Sequence, residues 1–184
     1  MNNTKLMFKE TSSVSSTRQS VKTSLKFDPF VELPKFHKEV FVLDTCYLIR
    51  LARSGYGVYT TLKQLSEKGD VIVTRQVVDE FQRNAQTKRD IKKEDVAELY
   101  RAINEGIVSQ ENIAVSKEEH QELSRRMQEK SHKKNRRLGL GDASIAILTD
   151  VLKGLYQKIN IISEDSDLFV LLPTSEGVNI RSFF

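Results

Sequence analysis

The feature that most constrains the fold is an acid placed directly after a short, wholly apolar stretch. Residues 40–43 read Val-Phe-Val-Leu, and Asp44 follows at once. Three of these four residues are β-branched or aromatic, which favours a strand buried on both faces, as in a parallel sheet. Ligands bind at the carboxyl ends of strands in open α/β sheets, so we expect Asp44 on the floor of such a crevice, with Thr45 opening the next helix. Capping of that helix is the alternative role for Asp44.

Strand and helix signals alternate along the chain. The predicted strands are 40–43, 71–73, 159–162 and 178–180, with 112–115 as a third strand or only a turn. The predicted helices are 47–52, 59–68, 76–88, 91–106, 116–130 and 139–155. Such alternation implies β-α-β crossovers and therefore an α/β fold with a mostly parallel sheet.

Composition separates a tail from a domain. Residues 1–36 are rich in Ser and Thr and lack apolar periodicity, which predicts a flexible tail and lead-in before a domain over 37–184. No apolar stretch approaches 18 residues, and residues 1–26 lack the apolar core of a secretory signal, so we expect a cytoplasmic protein that does not span a membrane. Cys46 is the single cysteine, which excludes an intramolecular disulfide and a multi-cysteine zinc site. We interpret Cys46 as a small buried hydrophobic residue.

Three acids follow predicted strands, Asp44 after 40–43 and Asp165 and Asp167 after 159–162. Two more lie early in predicted helices, Glu80 in the first half of 76–88 and Asp142 in the first turn of 139–155. Because parallel strands gather their carboxyl ends at one edge, these acids are expected to share a pocket. A cluster of carboxylates does not stay ionised without cations, and an all-oxygen ligand set selects Mg²⁺ or Mn²⁺ over zinc. Such ions can activate water against a phosphodiester. The predicted set is Asp44, Glu80, Asp142, Asp165 and Asp167.

Positive charge is concentrated in one segment. The chain carries a net charge of +4, but residues 125–137 hold seven Lys and Arg against one acid, Glu129. This asymmetry indicates a polyanionic partner, nucleic acid before membrane. A solvated charged loop is the alternative, and the nearly uniform sign and the closeness to Asp142 favour RNA docking. The predicted RNA-binding residues are Arg125, Arg126, Lys130, Lys133, Lys134, Arg136 and Arg137.

Four short motifs, in this order, resemble the acidic motifs of PIN-domain nucleases. They are L-D-T at 43–45, V-x-x-E at 77–80, G-x-G-D-A at 139–143 and S-x-D-x-D-L at 163–168. Each motif is short, so only the ordered set is specific. The resemblance covers about residues 39–182, and Ser163 and Leu168 stand where the family more often has Thr and Phe.

The resemblance implies a three-layer α/β/α sandwich and a Mg²⁺- or Mn²⁺-dependent endoribonuclease. It assigns Asp44, Glu80, Asp142 and Asp165 as catalytic, metal-binding acids, with Asp167 as an auxiliary or alternative fourth acid. Thr45 would orient the first acid through a hydrogen bond. The family includes toxins of toxin–antitoxin pairs and enzymes of RNA processing or decay, which leaves open a homodimer and an antitoxin-like inhibitor.

Three other functions remain to be distinguished. A PIN-like domain that has lost catalysis would serve as a nucleic-acid-binding scaffold, although carboxylates that repel phosphate give a binder no advantage. A phosphotransfer domain built on residues 165–167 is disfavoured by Leu168 and Phe169. Metal-free ribonuclease chemistry would instead depend on His37, His120 and His132.

Overall fold

The computed structural model describes residues 39–130, 137–172 and 177–181. The predicted tail at 1–36, His37, His132, Lys133, Lys134 and Arg136 lie outside the described residues, as does the side chain of Asp167. Among the helices of the described ranges, none has the length and apolar character needed to cross a membrane.

The described residues form an all-parallel five-stranded sheet flanked by seven helices, a three-layer α/β/α sandwich. The strands are β1 (Glu39–Leu43), β2 (Asp70–Thr74), β3 (Ser109–Glu111), β4 (Lys158–Ile162) and β5 (Val178–Arg181). The helices are α1 (Thr45–Ser54), α2 (Val58–Ser66), α3 (Arg75–Thr87), α4 (Lys93–Asn104), α5 (Lys117–Lys130), α6 (Leu140–Leu152) and α7 (Ser166–Leu171). The predicted fold class is therefore confirmed.

The strand order β3-β2-β1-β4-β5 places β1 at the centre of the sheet. The chain proceeds from β1 towards β3 on one side and from β4 to β5 on the other, so the order reverses between β1 and β4. A crevice opens at such a switch point, beyond the carboxyl ends of the two strands. Val40, Val42 and Leu43 of β1 are fully buried, as the apolar pattern predicts.

Of the two alternatives for residues 112–115, a third strand or only a turn, the structure excludes the strand. The third strand is Ser109–Glu111 and not 112–115. Its side chains are exposed, and it lies at the sheet edge, where it pairs with β2 alone. Such a strand is held by backbone hydrogen bonds and needs no apolar pattern, so the sequence gives no signal for it.

Candidate functional site

A polar cavity of about 160 Å³ lies at the β1–β4 switch point. The backbone N–H of Asp44 donates to the Ile162 carbonyl at 3.2 Å, which joins the ends of the two strands. The structure brings together four of the five predicted acids here. The lining residues are Asp44, Thr45, Cys46, Ile49, Glu80, Asn84, Lys88, Asp142 and Asp165. A larger groove, about 440 Å³, lies between α5 and α6 and contains none of these acids.

Asp44 is 4% exposed, and three donors hold its carboxylate. Oδ1 accepts from the Thr45 N–H at 2.6 Å, and Oδ2 accepts from Ser163 Oγ at 2.6 Å and Cys46 Sγ at 2.8 Å. Burial raises the pKa of Asp44, the three hydrogen bonds oppose that rise, and the charge of Asp165 adds to it. Two acceptor sites of Oδ2 are thereby used, which leaves one on Oδ1 for a further contact.

Thr45 forms hydrogen bonds to two of the acids. Its hydroxyl donates to Glu80 Oε2 at 3.0 Å, whereas its backbone N–H contacts Asp44. The hydroxyl therefore orients the second acid and not the first. The hydroxyl meets Glu80 because α1 begins at Thr45 and packs against α3, which carries Glu80 in its second turn.

Asp142 and Asp165 complete the set of described acids. Asp142 lies in the first turn of α6, as predicted. Asp165 follows β4, and its backbone N–H donates to Ser163 Oγ at 2.9 Å. Ser163 thus bonds to Asp44 through its proton and to the backbone of Asp165 through its oxygen, and it fixes these two acids relative to each other.

The donor chemistry fits a hard divalent cation, because four carboxylates border one cavity and no sulfur or imidazole is needed. The geometry fits less closely. Within the described ranges, no three His, Cys, Asp or Glu side chains form a group that could hold a metal ion. The carboxylates therefore share a cavity without converging on one point.

Sequence reasoning missed several residues around the acids. Cys46 is half-buried and not a simple hydrophobic residue, since its thiol donates to Asp44 and accepts from the Glu164 N–H at 3.1 Å. Burial, with the neighbouring Asp44 charge, raises the pKa of this thiol to about 12, so it stays protonated as a donor. Ser163 had a usable signal, because it stands between the end of a buried strand and an acid. Lys88, just after α3, had none.

The basic segment is only partly described. Arg125 forms ion pairs with Glu122, at 2.9 Å, and with Glu129, while Arg126 Nε lies 2.9 Å from Glu122. The hydrogen bonds from both arginines hold the pKa of Glu122 at about 2. Exposed pairs of this kind are weak because water screens both charges, so they do not prevent the arginines from meeting a phosphate. Lys130 and Arg137 are exposed.

No family model matches the sequence. No curated protein matches it either. Among solved structures, PAE2754 from Pyrobaculum aerophilum is similar to this chain, with 16% sequence identity and a TM-score of 0.45. The likeness covers 78% of this chain and 90% of that one. A likeness of this extent carries no conclusion about activity.

Proposed function

We propose that the protein is a Mg²⁺- or Mn²⁺-dependent endoribonuclease of the PIN-like type. The observation that carries the proposal is the shared cavity of Asp44, Glu80, Asp142 and Asp165, which come from four separate parts of the sequence. Helix capping explains part of the role of Asp44, which accepts from the first N–H of α1. Capping does not explain Glu80, because this acid lies in the second turn of α3.

The cavity suits a phosphodiester better than a whole nucleotide. Pockets that enclose small molecules are usually about 300–1,000 Å³, which is larger than this cavity. A phosphate of a chain lying across the opening would reach the acids while the bases stay outside. Lys88 lines the same cavity and would contact such a phosphate.

Asp44, Glu80, Asp142 and Asp165 would hold the cation, with Asp167 as the auxiliary acid of the resemblance. When bound, a divalent ion lowers the pKa of a water and stabilises the leaving oxygen. Ser163 and Cys46 keep Asp44 oriented, and Thr45 does the same for Glu80. These donors hold the two carboxylates in fixed orientations in which a cation could meet them.

The catalytically inactive scaffold is the second candidate. One observation favours it: among the described residues, no three acidic, His or Cys side chains form a group that could hold a metal ion. Binding of Mn²⁺ distinguishes the two, since a scaffold does not require it. The remaining parts of the proposal are a cytoplasmic location, an RNA partner, a homodimer and a toxin-like mode with an antitoxin-like inhibitor.

The chain offers a matched pair of variants on α3 for the test. Glu80 lines the cavity, whereas the neighbouring Asp79 is exposed and lies 3.8 Å from Arg75. In single-turnover cleavage of a labelled RNA with Mn²⁺, we expect Glu80→Gln to lose about 100-fold, or about 2.7 kcal/mol of transition-state stabilisation. Asp79→Asn should stay within about twofold of wild type. Equal rates for the two variants would overturn the assignment of Glu80.

A further inference from the structure

We propose that Thr74 and Ser144 form a buried positioning relay that sets the first turn of α6 against α3, and so Asp142 against Glu80. This inference rests on the proposed function. Thr74 ends β2 and caps α3, its Oγ1 accepting from the Val77 N–H at 3.4 Å. Its hydroxyl oxygen lies 2.7 Å from that of Ser144 on α6. Both residues are fully buried.

The direction of the relay is fixed by proton count, because each hydroxyl has one proton to donate. Ser144 Oγ donates to the Gly141 carbonyl at 2.7 Å, so towards Thr74 it can only accept. Thr74 therefore donates to Ser144 and accepts from Val77. The chain of bonds runs one way, from the first turn of α3 to the first turn of α6.

The relay ends at the carbonyl of Gly141, and the Glu80 carboxylate lies next to this glycine. A Cβ added to Gly141 would stand 2.9 Å from Glu80 Oε2 and 3.8 Å from Thr45 Oγ1. A side chain at position 141 would therefore clash with the Glu80 carboxylate, so the first turn of α6 lies closer to Glu80 than a residue with a Cβ allows. Asp142 is the next residue, so a shift of α6 relative to α3 changes the separation of the two acids directly.

Mn²⁺ titration calorimetry on the full chain tests the relay. Thr74→Val and Ser144→Ala should each raise the Mn²⁺ dissociation constant about tenfold, the size expected for partners that orient metal ligands. The double variant should be no worse than the weaker-binding single variant, because either change breaks the same chain. Thr74→Ser keeps the hydroxyl and should bind within about twofold of wild type.

Thr149→Val is the matched control. Thr149 is also fully buried on α6, but its hydroxyl donates at 2.7 Å to Ile145 of the same helix. We expect it to lose stability while Mn²⁺ affinity stays at the wild-type value. Wild-type affinity in both Thr74→Val and Ser144→Ala, or an equal loss in Thr149→Val, would overturn the relay. If Thr74→Val fails to fold, Ser144→Ala decides, since it leaves the α3 cap in place.

Hydrogen exchange in metal-free protein separates this inference from the proposed function. Thr74→Val should speed hydrogen exchange of the amides at 139–145, at the start of α6, although the substitution lies at the start of α3. Thr149→Val should leave hydrogen exchange at the start of α3 unchanged. Exchange that changes only within α3 would contradict the relay. A wild type that binds no Mn²⁺ and cleaves no RNA would refute the nuclease, and the exchange result would still decide the relay.

Discussion

Ser163→Ala should destabilise the protein in a pH-dependent way. The fully buried hydroxyl donates to Asp44 Oδ2 at 2.6 Å and accepts from the Asp165 N–H at 2.9 Å. Alanine removes both bonds and leaves a buried carboxylate with two donors, Thr45 and Cys46. The change is small in volume, so the lost polar contacts dominate its effect.

The size of the loss depends on whether Asp44 is ionised. A hydrogen bond to a charged group contributes about 1.5–3 kcal/mol, and one between neutral groups about 0.5–1.5 kcal/mol. Burial already raises the pKa of Asp44 above its ordinary value of 3.8, and the Ser163 bond opposes that rise. Because the carboxyl pKa is raised by folding, Asp44 costs stability as pH increases from the ordinary pKa through the raised one. Without Ser163 that cost is larger, so the loss of stability in Ser163→Ala grows as the pH rises above the ordinary carboxyl pKa of 3.8.

Urea unfolding in EDTA at several pH values between about 4 and 8 measures this difference. We expect a loss of about 1.5–3 kcal/mol at neutral pH and a smaller one at the acid end. Ser163→Thr keeps the hydroxyl and should recover most of the stability, and the neutral control Thr149→Val should lose an amount that does not vary with pH. A loss in Ser163→Ala that is constant with pH, or below about 0.5 kcal/mol throughout, would refute the reasoning.

Three further predictions concern the metal, the tail and the basic segment. Mg²⁺ or Mn²⁺ should raise the melting temperature because the ions bind only the folded cavity; no shift for either ion would contradict this. Deleting residues 1–24 should leave cleavage of a short RNA unchanged, and a loss beyond about tenfold in kcat/KM would show that the tail contacts substrate. The salt dependence of RNA binding should have a log–log slope of about −3 for four phosphate contacts. The four candidate residues are Lys133, Lys134, Arg136 and Arg137. Replacing all four by Gln should flatten that slope and raise KM more than it lowers kcat, whereas an unchanged slope would mean that the RNA binds another part of the surface.

The sequence best predicted the strands whose side chains are buried. Strands such as β1 and β4 are covered on both faces, so they must be continuously apolar. The acids that follow them mark the carboxyl ends of these strands. By contrast, β3 is exposed and held by backbone bonds, and α7 was not predicted because it is a single short helix of six residues. Neither element needs a distinctive side-chain pattern.

Partners of the acids were harder to predict than the acids themselves. The role of Thr45 depends on how α1 and α3 pack, because its hydroxyl meets Glu80 from a distant part of the chain. The same holds for the contact between Thr74 and Ser144. Periodicity indicates which face of an element is buried, but not which hydroxyl it meets there.

Single-turnover cleavage of a labelled RNA by wild type and Asp142→Asn, in Mn²⁺ and in excess EDTA, tests the central claim most directly. The matched control is Asp150→Asn, an exposed acid on the same helix that pairs with Lys153 at 2.7 Å. We predict cleavage by wild type and Asp150→Asn in Mn²⁺, and a loss of at least about 100-fold for Asp142→Asn and for every protein in EDTA. Cleavage that continues in EDTA, or that Asp142→Asn performs at the wild-type rate, would contradict a metal-dependent acidic site and turn attention to histidines such as His120.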